Sequence, residues 1–260
     1  ITYEVTSGTA STLNVSNVDN ALVESGPNTQ EDEVAALRVR VEDDGGNLVT
    51  DRNVDTTIEL TGDAELYTGN LGSNTDTGVV EEIDNSGNPS GIDLTDTDDD
   101  GAFNYKVTGA GANNGDANKG DFYIFLTDGT VEDVDMTVTP DSAGSGVNAV
   151  SGDSSTTTFF DRPDNVDVSF NATATAGDTV RADAVAQTAD NTVIEVPRLS
   201  ADGFSLGNSS VATIVDEESS TGDDGVVSAN LTAAAVGTTD VTQTLKGTEG
   251  TAPLTAGAPG

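Results

Sequence analysis

Apolar and polar residues alternate through most of this chain, with the period of strands that bury one face. Leu37, Val39 and Val41 alternate with Arg38, Arg40 and Glu42. Asp43-Asp44-Gly45-Gly46-Asn47 then supplies residues that tolerate the positive φ of a tight turn. A second run follows with Val54, Thr56, Ile58 and Leu60. The same grammar returns at Asp96 to Gly101, an acidic Gly-ending turn, after which Phe103, Tyr105 and Val107 alternate with Asn104 and Lys106. Asp121 to Leu126 is apolar through its centre and predicts a strand in the middle of a sheet, and Val134, Met136 and Val138 predict the next. Ile1 to Val5, Leu13 to Val15 and Ala21 to Val23 read as short strands, and Pro27 to Glu33 as a polar loop.

Pro140 to Gly146, small and polar, is the clearest linker signal in the chain. Beyond it the candidate strands are Val166 to Phe170, Thr179 to Ala186, Thr192 to Val196, Val211 to Val215, Val226 to Leu231 and Val241 to Leu245. Turn clusters separate them at the spacing of an all-β sandwich. Leu231 to Val236 is rich in alanine but too short for a helix of normal length. The pattern predicts an all-β chain of two tandem antiparallel β-sandwich domains. The first spans 1–140, with an N-terminal extra strand over 1–8 and an acidic insertion over 67–91. Residues 141–155 read as a linker, 156–250 as the second sandwich and 251–260 as a tail of low complexity.

The first domain resembles the bacterial immunoglobulin-like domains of invasin and intimin type. In these a strand enters D-x-x-G-N-x-V, a second strand follows, and a later T-D-x-x-G-x-a turn opens another. Here those positions read Asp43-Asp44-Gly45-Gly46-Asn47-Leu48-Val49 and Asp98-Asp99-Asp100-Gly101-Ala102, within a match over residues 34 to 139. The resemblance implies Ig-like sandwiches on a cell surface. The acidic insertion departs from the compact family pattern.

Charge changes the picture most. The 260 residues hold 46 acidic and 9 basic side chains, a formal charge of −37. Such acidity with few aromatics is a mark of disorder, yet a disordered acidic chain lacks alternating Val, Ile and Leu. A folded protein adapted to molar salt reconciles the two, since at about 1 M the Debye length is roughly 3 Å and self-repulsion is screened. Lysine occurs only at 106, 119 and 246, and Asp far outnumbers Glu. That profile resembles a haloarchaeal protein. The nine basic residues form no patch able to neutralise phosphates, which argues against nucleic acid as a partner. Arg38 and Arg40, on one strand face, are expected to pair with neighbouring carboxylates. There is no cysteine, so no disulfide braces the fold. No run of about 18 apolar residues provides a membrane span, and the apolar N-terminal helix of a type IV pilin is missing. A start at Ile1 fits processing after a signal peptide or a fragment boundary, and the sequence leaves both open.

With no His and no Cys, a Ser-His-Asp triad, a cysteine nucleophile and His-ligated zinc are excluded. Neither a phosphate-binding loop nor a dinucleotide fingerprint follows a strand. Sugar-cleaving carboxylate pairs normally work beside aromatic platforms, and the chain has no Trp and four Tyr. An intramolecular Lys-Asn isopeptide bond needs a buried lysine, whereas Lys106 lies on the face opposite Phe103, Tyr105 and Val107. No enzyme is expected. Asp96, Asp98 and Asp100 match D-x-D-x-D-G, whose carboxylates can converge on one Ca²⁺. Position 12 of that loop is Val107, so the bidentate acid of an EF-hand is absent, and a solvated acidic turn is the alternative. Beyond such a Ca²⁺ no cofactor is implied. Four sequons, at Asn14, Asn171, Asn208 and Asn230, fit N-x-[ST] and suit N-linked glycans on a secreted surface. Ile1, Tyr3 and Val5 form a strand that either pairs within its own domain or completes the sheet of a neighbouring copy.

These observations point to an extracellular structural protein of a halophilic archaeon, self-assembling into a surface array or filament (S-layer or pilus-like). The alternative is a non-polymerising binding module, such as an adhesin stalk or a tail, spike or capsid-decoration protein of a halophile virus.

Overall fold

The computed structural model describes residues 9–25, 29–49, 56–67, 92–94, 104–107, 121–140, 151–222 and 224–259. The chain divides into two compact units, Ile1–Phe159 and Phe160–Gly260. In the first, the strands are β1 (Ala10–Asp19), β2 (Ala21–Leu22), β3 (Ala35–Asp43), β4 (Thr56–Leu60), β5 (Glu65–Leu66), β6 (Ile92–Leu94), β7 (Asn104–Val107), β8 (Asp121–Thr127), β9 (Asp133–Pro140) and β10 (Asp153–Phe160), with a 3₁₀ turn at Glu31–Glu33. In the second they are β11 (Asn165–Phe170), β12 (Ala174–Thr175), β13 (Thr179–Gln187), β14 (Ser205–Leu206), β15 (Ala212–Glu217), β16 (Val226–Ala233), β17 (Gly237–Leu245) and β18 (Thr248–Gly257). The chain is all-β, and no described residue lies in an α-helix.

Among the described residues, each unit is built from two sheets. In the second, β11-β13-β16-β15 forms one and β12-β18-β17-β14 the other. Reading the strands in chain order, these are the A-B-E-D and A′-G-F-C sheets of an Ig-like sandwich. The first strand is split: β11 pairs antiparallel with β13, and β12 crosses over to pair parallel with β18. The first unit repeats this plan, with β1-β3-β8-β5 facing β2-β10-β9-β4-β7-β6. The pair β6–β7, antiparallel and attached to β4, is added between the D and E positions.

The alternation read from the sequence is the alternation of burial. On β3, Ala35, Leu37, Val39 and Val41 are buried in the core with Leu13 and Val15 of β1, Ile58 and Leu60 of β4, and Ile124 and Leu126 of β8. Val134, Met136 and Val138 of β9 and Phe159 of β10 join them from the facing sheet. Fully burying each larger side chain stabilises by about 1.5–3 kcal/mol. As expected, β8 is an interior strand, between β3 and β5. Its Phe125 points the other way, into a second apolar cluster with Val34 and Ala36, flanked by Val18 and Tyr67. The acidic turn after β3 also forms as expected: Gly46 has φ 76°, and the Asp43 carboxylate accepts from the backbone N–H of Gly45 at 2.8 Å and of Asn47 at 3.0 Å.

Three expectations need correction. Residues 151–155, placed in the linker, and 156–159, placed in the second sandwich, belong to the first unit: β10 pairs antiparallel with β9 from Asp153↔Val138 to Thr158↔Asp133. The expected tail is the second half of β18, which pairs with β17 over its whole length, from Leu245↔Thr248 to Gly237↔Ala256. Leu254 and Ala256 bury their side chains there, so the segment cannot be a tail. Thr192 to Val196 is not a strand beyond a single bridge, Val193 to Gln187. Pro197 lacks an N–H and Arg198 takes a φ of 65°, which ends any ladder. The buried Thr221 hydroxyl instead holds this stretch, donating to Val196 O and accepting from Leu199 N–H.

Candidate surface and modification sites

Asp96, Asp98 and Asp100, the expected Ca²⁺ ligands, lie outside the described residues, between β6 and β7 in sequence. Ile1, Tyr3 and Val5, the expected assembly strand, also lie outside them. Among the described residues no three acidic side chains gather in a metal-holding arrangement.

All four sequon asparagines are described and exposed, but their settings differ. Asn14 is in the middle of β1, opposite Arg40 of β3. Asn230 is in β16, an interior strand, opposite Arg181 of β13 on one side and Asp216 of β15 on the other. Asn171 follows β11 and extends its ladder: its N–H donates to Arg181 O, and its Oδ1 accepts from Arg181 N–H at 3.0 Å. Asn208 is in the connection between β14 and β15, and its Oδ1 accepts from Ser210 N–H at 3.0 Å within the sequon itself.

Hydroxyls and backbone N–H groups hold many of the carboxylates on the described surface. Across β9 and β10, Thr158 donates to Asp133 at 2.7 Å and Thr156 to Asp135 at 2.5 Å. On β17 and β18, Thr238 faces Thr255 and Thr242 faces Thr251 with their hydroxyls hydrogen-bonded. Asp190, beside the Thr188 hydroxyl, is held below the usual carboxylate range by the bonds from Thr188 and Thr192. Asp is ordinarily poor in strands. A cross-strand hydroxyl gives its carboxylate a donor without adding a positive charge. Of the expected arginine pairings, Arg40 meets Glu42 at 3.0 Å.

Two constellations were not visible in the sequence. The first surrounds Arg181, whose guanidinium meets Asp183 at 2.6 Å and donates to Ser228 Oγ at 2.6 Å. Ser228 Oγ donates in turn to Asp183 at 2.8 Å. Arg181, Asp216, Glu217, Glu218, Ser228 and Asn230 line an open pocket of about 140 Å³. The guanidinium pKa is raised, first by the hydrogen bond and charge of Asp183 and further by Glu218 and Asp224. The second is at the turn between β8 and β9. Asp128 is 2% exposed; its Oδ1 accepts from Thr130 N–H at 2.7 Å, and Oδ2 has no partner among the described residues. Burial first, then the neighbouring Glu132 and Asp63, push its pKa up to about 6, against the lowering pull of Thr130. Glu132 Oε1 accepts from Asp63 N–H at 2.8 Å, which joins this turn to the one between β4 and β5. Nearby Tyr67 is also raised, by burial and then by Glu24. Asp128-Gly129 is legible as a turn, but nothing in the sequence signals the burial of its carboxylate.

No family model matches the chain, and no curated protein matches it. Solved structures do. Invasin, described as a bacterial integrin-binding protein, is 15% identical with a TM-score of 0.33, over 95% of this chain and 40% of that one. The Escherichia coli adhesin FdeC is 14% identical with a TM-score of 0.35, over 97% of this chain and 65% of that one. The surface layer protein SbsC, domains 1-6, is 13% identical with a TM-score of 0.32, over 98% of this chain and 29% of that one. This chain therefore spans less than two thirds of the length of each.

Proposed function

We propose that the chain is an extracellular structural protein of a halophilic archaeon, a self-assembling part of a surface array or filament of S-layer or pilus-like kind. The observation that carries this reading is that a chain of charge −37 folds into packed sandwiches whose outward strand faces bear carboxylates met by threonine hydroxyls. Such a surface is repulsive in dilute buffer and neutral in effect at molar salt, where the Debye length is about 3 Å. Screened faces then associate through sheet and loop contacts, with cations bridging carboxylates. Asp96, Asp98 and Asp100 are the proposed Ca²⁺ ligands in such contacts. Ile1, Tyr3 and Val5 are the proposed anchors of a donated strand, and deleting Ile1 to Ser7 would then abolish polymers while leaving a folded monomer. Asn14, Asn171, Asn208 and Asn230 are the proposed N-glycan acceptors, supported by their exposure.

One observation favours the second reading, a non-polymerising binding module such as an adhesin stalk or a component of a halophile virus. The long edge strand β1 is sealed. Leu13 N–H donates to Ser151 O at 2.9 Å, Ser151 N–H to Ser11 O at 3.0 Å, and Val15 N–H to the Asp153 carboxylate at 2.9 Å. Of the other edges among the described residues, β2, β5, β12 and β14 are two residues long and β6 three, while β11 and β15 run to six, and short or covered edges resist strand addition. Negative-stain electron microscopy in about 3 M salt, where charge is screened, separates the two readings. Filaments or sheets support assembly, and their dependence on Ca²⁺ implicates the Asp96 loop. Dispersed monomers with and without Ca²⁺ refute assembly and leave the binding module.

A further inference from the structure

We infer that, of the four sequons, the folded chain offers only Asn208 to an N-glycosylating enzyme, so that Asn208 is its post-folding modification site. This rests on the reading of the chain as a glycosylated surface protein. The transfer forms a bond from Asn Nδ2 to C1 of a sugar and breaks the bond from C1 to the phosphate oxygen of a lipid-linked saccharide. The lipid phosphate leaves, and a proton is lost from Nδ2. For this the enzyme must take hold of the backbone on both sides of the asparagine, so the sequon has to leave whatever ladder contains it.

Asn14 cannot leave β1 without opening its pairing with β3 on one side, from Leu13↔Val41 to Val15↔Val39. The bonds from Leu13 N–H to Ser151 O and from Val15 N–H to Asp153 on the other side must open as well. Asn230 is more firmly held: β16 is paired on both sides, and the Thr232 hydroxyl of the same sequon is hydrogen-bonded to Thr179. Asn171 is tied to Arg181 by two bonds, one of them through its own carboxamide oxygen. Asn171 and Asn208 both lie in exposed segments outside any strand, but the carboxamide oxygen of Asn208 is bound within its own sequon, whereas that of Asn171 is bound by the neighbouring strand β13. Gly207 to Ser210 are exposed throughout, and the segment belongs to no strand. Val211 N–H donates to Asn208 O, and Ser210 N–H to Asn208 Oδ1, both within the local turn. The turn is held to β17 by Asn208 N–H on the Thr239 hydroxyl at 2.8 Å and by Gly207 N–H on Asp240 O. Presenting this sequon therefore costs a local opening, whereas presenting Asn14 or Asn230 costs the opening of a strand.

The test uses the full chain, folded in molar salt, together with four peptides that each carry one sequon. Both are incubated with membranes of a halophilic archaeon as the source of oligosaccharyltransferase and lipid-linked saccharide, and occupancy is mapped by mass spectrometry. Relative to its own peptide, Asn208 in the folded chain is expected to react at a comparable rate. Asn14 and Asn230 are expected to react about tenfold more slowly or worse, because opening a paired strand draws on sub-global stability. The N208Q chain should lose the main added mass. If all four peptides react but the folded chain is modified equally at Asn14, Asn171 or Asn230, or not at Asn208, the inference fails alone. If no peptide reacts, the glycoprotein reading fails and the inference with it.

Discussion

Asp128→Asn tests the account of the β8–β9 turn. The Asp128 carboxyl is 2% exposed, with one oxygen on Thr130 N–H and the other facing Glu132 without a described donor. Its pKa rises from 3.8 to about 6 on folding. A carboxyl raised in the folded state contributes stability that is fully present below the unfolded value. That contribution is lost as pH rises from about 3.8 through about 6, because the folded chain holds a proton the unfolded chain has released. At 1.36 kcal/mol per pH unit the loss has a ceiling of about 3 kcal/mol. The contribution at stake is thus on the order of 1–3 kcal/mol. Asparagine keeps the oxygen for Thr130 and places an N–H toward Glu132 at every pH. The variant should therefore match the wild type near pH 4 and exceed it by about 1–3 kcal/mol at pH 8. Urea unfolding of both chains in the same molar-salt buffers, from pH 4 to pH 8, measures the difference while cancelling titrations common to both. A difference that stays flat with pH, or a variant weaker at pH 8, would refute the claim that an ionised, buried Asp128 costs stability there.

Gln243 is fully buried on β17, and neither end of its amide has a hydrogen-bond partner among the described residues. Gln243→Met, close to it in shape, should raise stability by about 1–2 kcal/mol in the same unfolding assay, because the buried amide pays desolvation without return. Arg181→Met leaves Asp183, Asp216, Glu217, Glu218 and Asp224 without their shared cation. Its melting temperature should fall below the wild type in dilute buffer, with the gap closing as salt is added. A gap independent of salt would mean that packing of the side chain, and not charge, is what Arg181 supplies. Removing residues 251–260 should make the second unit protease-sensitive, since β18 supplies Leu254, Ala256 and most of the ladder to β17. Unchanged protection over residues 160–250 would contradict the placement of this strand.

Much of the fold was legible because hydrophobic alternation and burial coincide where inward positions are large. Leu37, Val39 and Val41 on β3, and Val134, Met136 and Val138 on β9, each announce a face that the core occupies. The Asp43 turn was legible for a chemical reason: a short carboxylate that bonds nearby N–H groups, followed by a glycine free to take φ 76°. The candidate sites were legible only as types. The sequons are tripeptides, and whether Asn230 is in an interior strand or Asn208 in an open turn is decided by partners far away in sequence. The burial of Asp128 and the gathering of carboxylates around Arg181 likewise come from β-strand neighbours that no local pattern names.

The two long strands that escaped detection, β10 and β18, are the same element, the last strand of each sandwich, and they escaped for one physical reason. A strand is seen in a sequence when it carries large apolar residues on alternate positions, but a sheet needs only that its inward positions fit the space available. In β10 the inward positions begin with Thr157, fully buried with its hydroxyl on Asp19 O, and only Phe159 is large and apolar. In β18 they are Gly250, Ala252, Leu254 and Ala256, and the first admits no side chain at all: a Cβ at Gly250 would lie 2.0 Å from Val166 O of β11. The small residues are what let β11 and β18 approach across the closing side of the sandwich, so the feature that hid the strand is the feature that seats it. The two missed strands displaced the boundaries accordingly. The polar run of β10 merged with the linker before it, and the small residues of β18 read as a tail, although each completes the sheet to which its unit belongs.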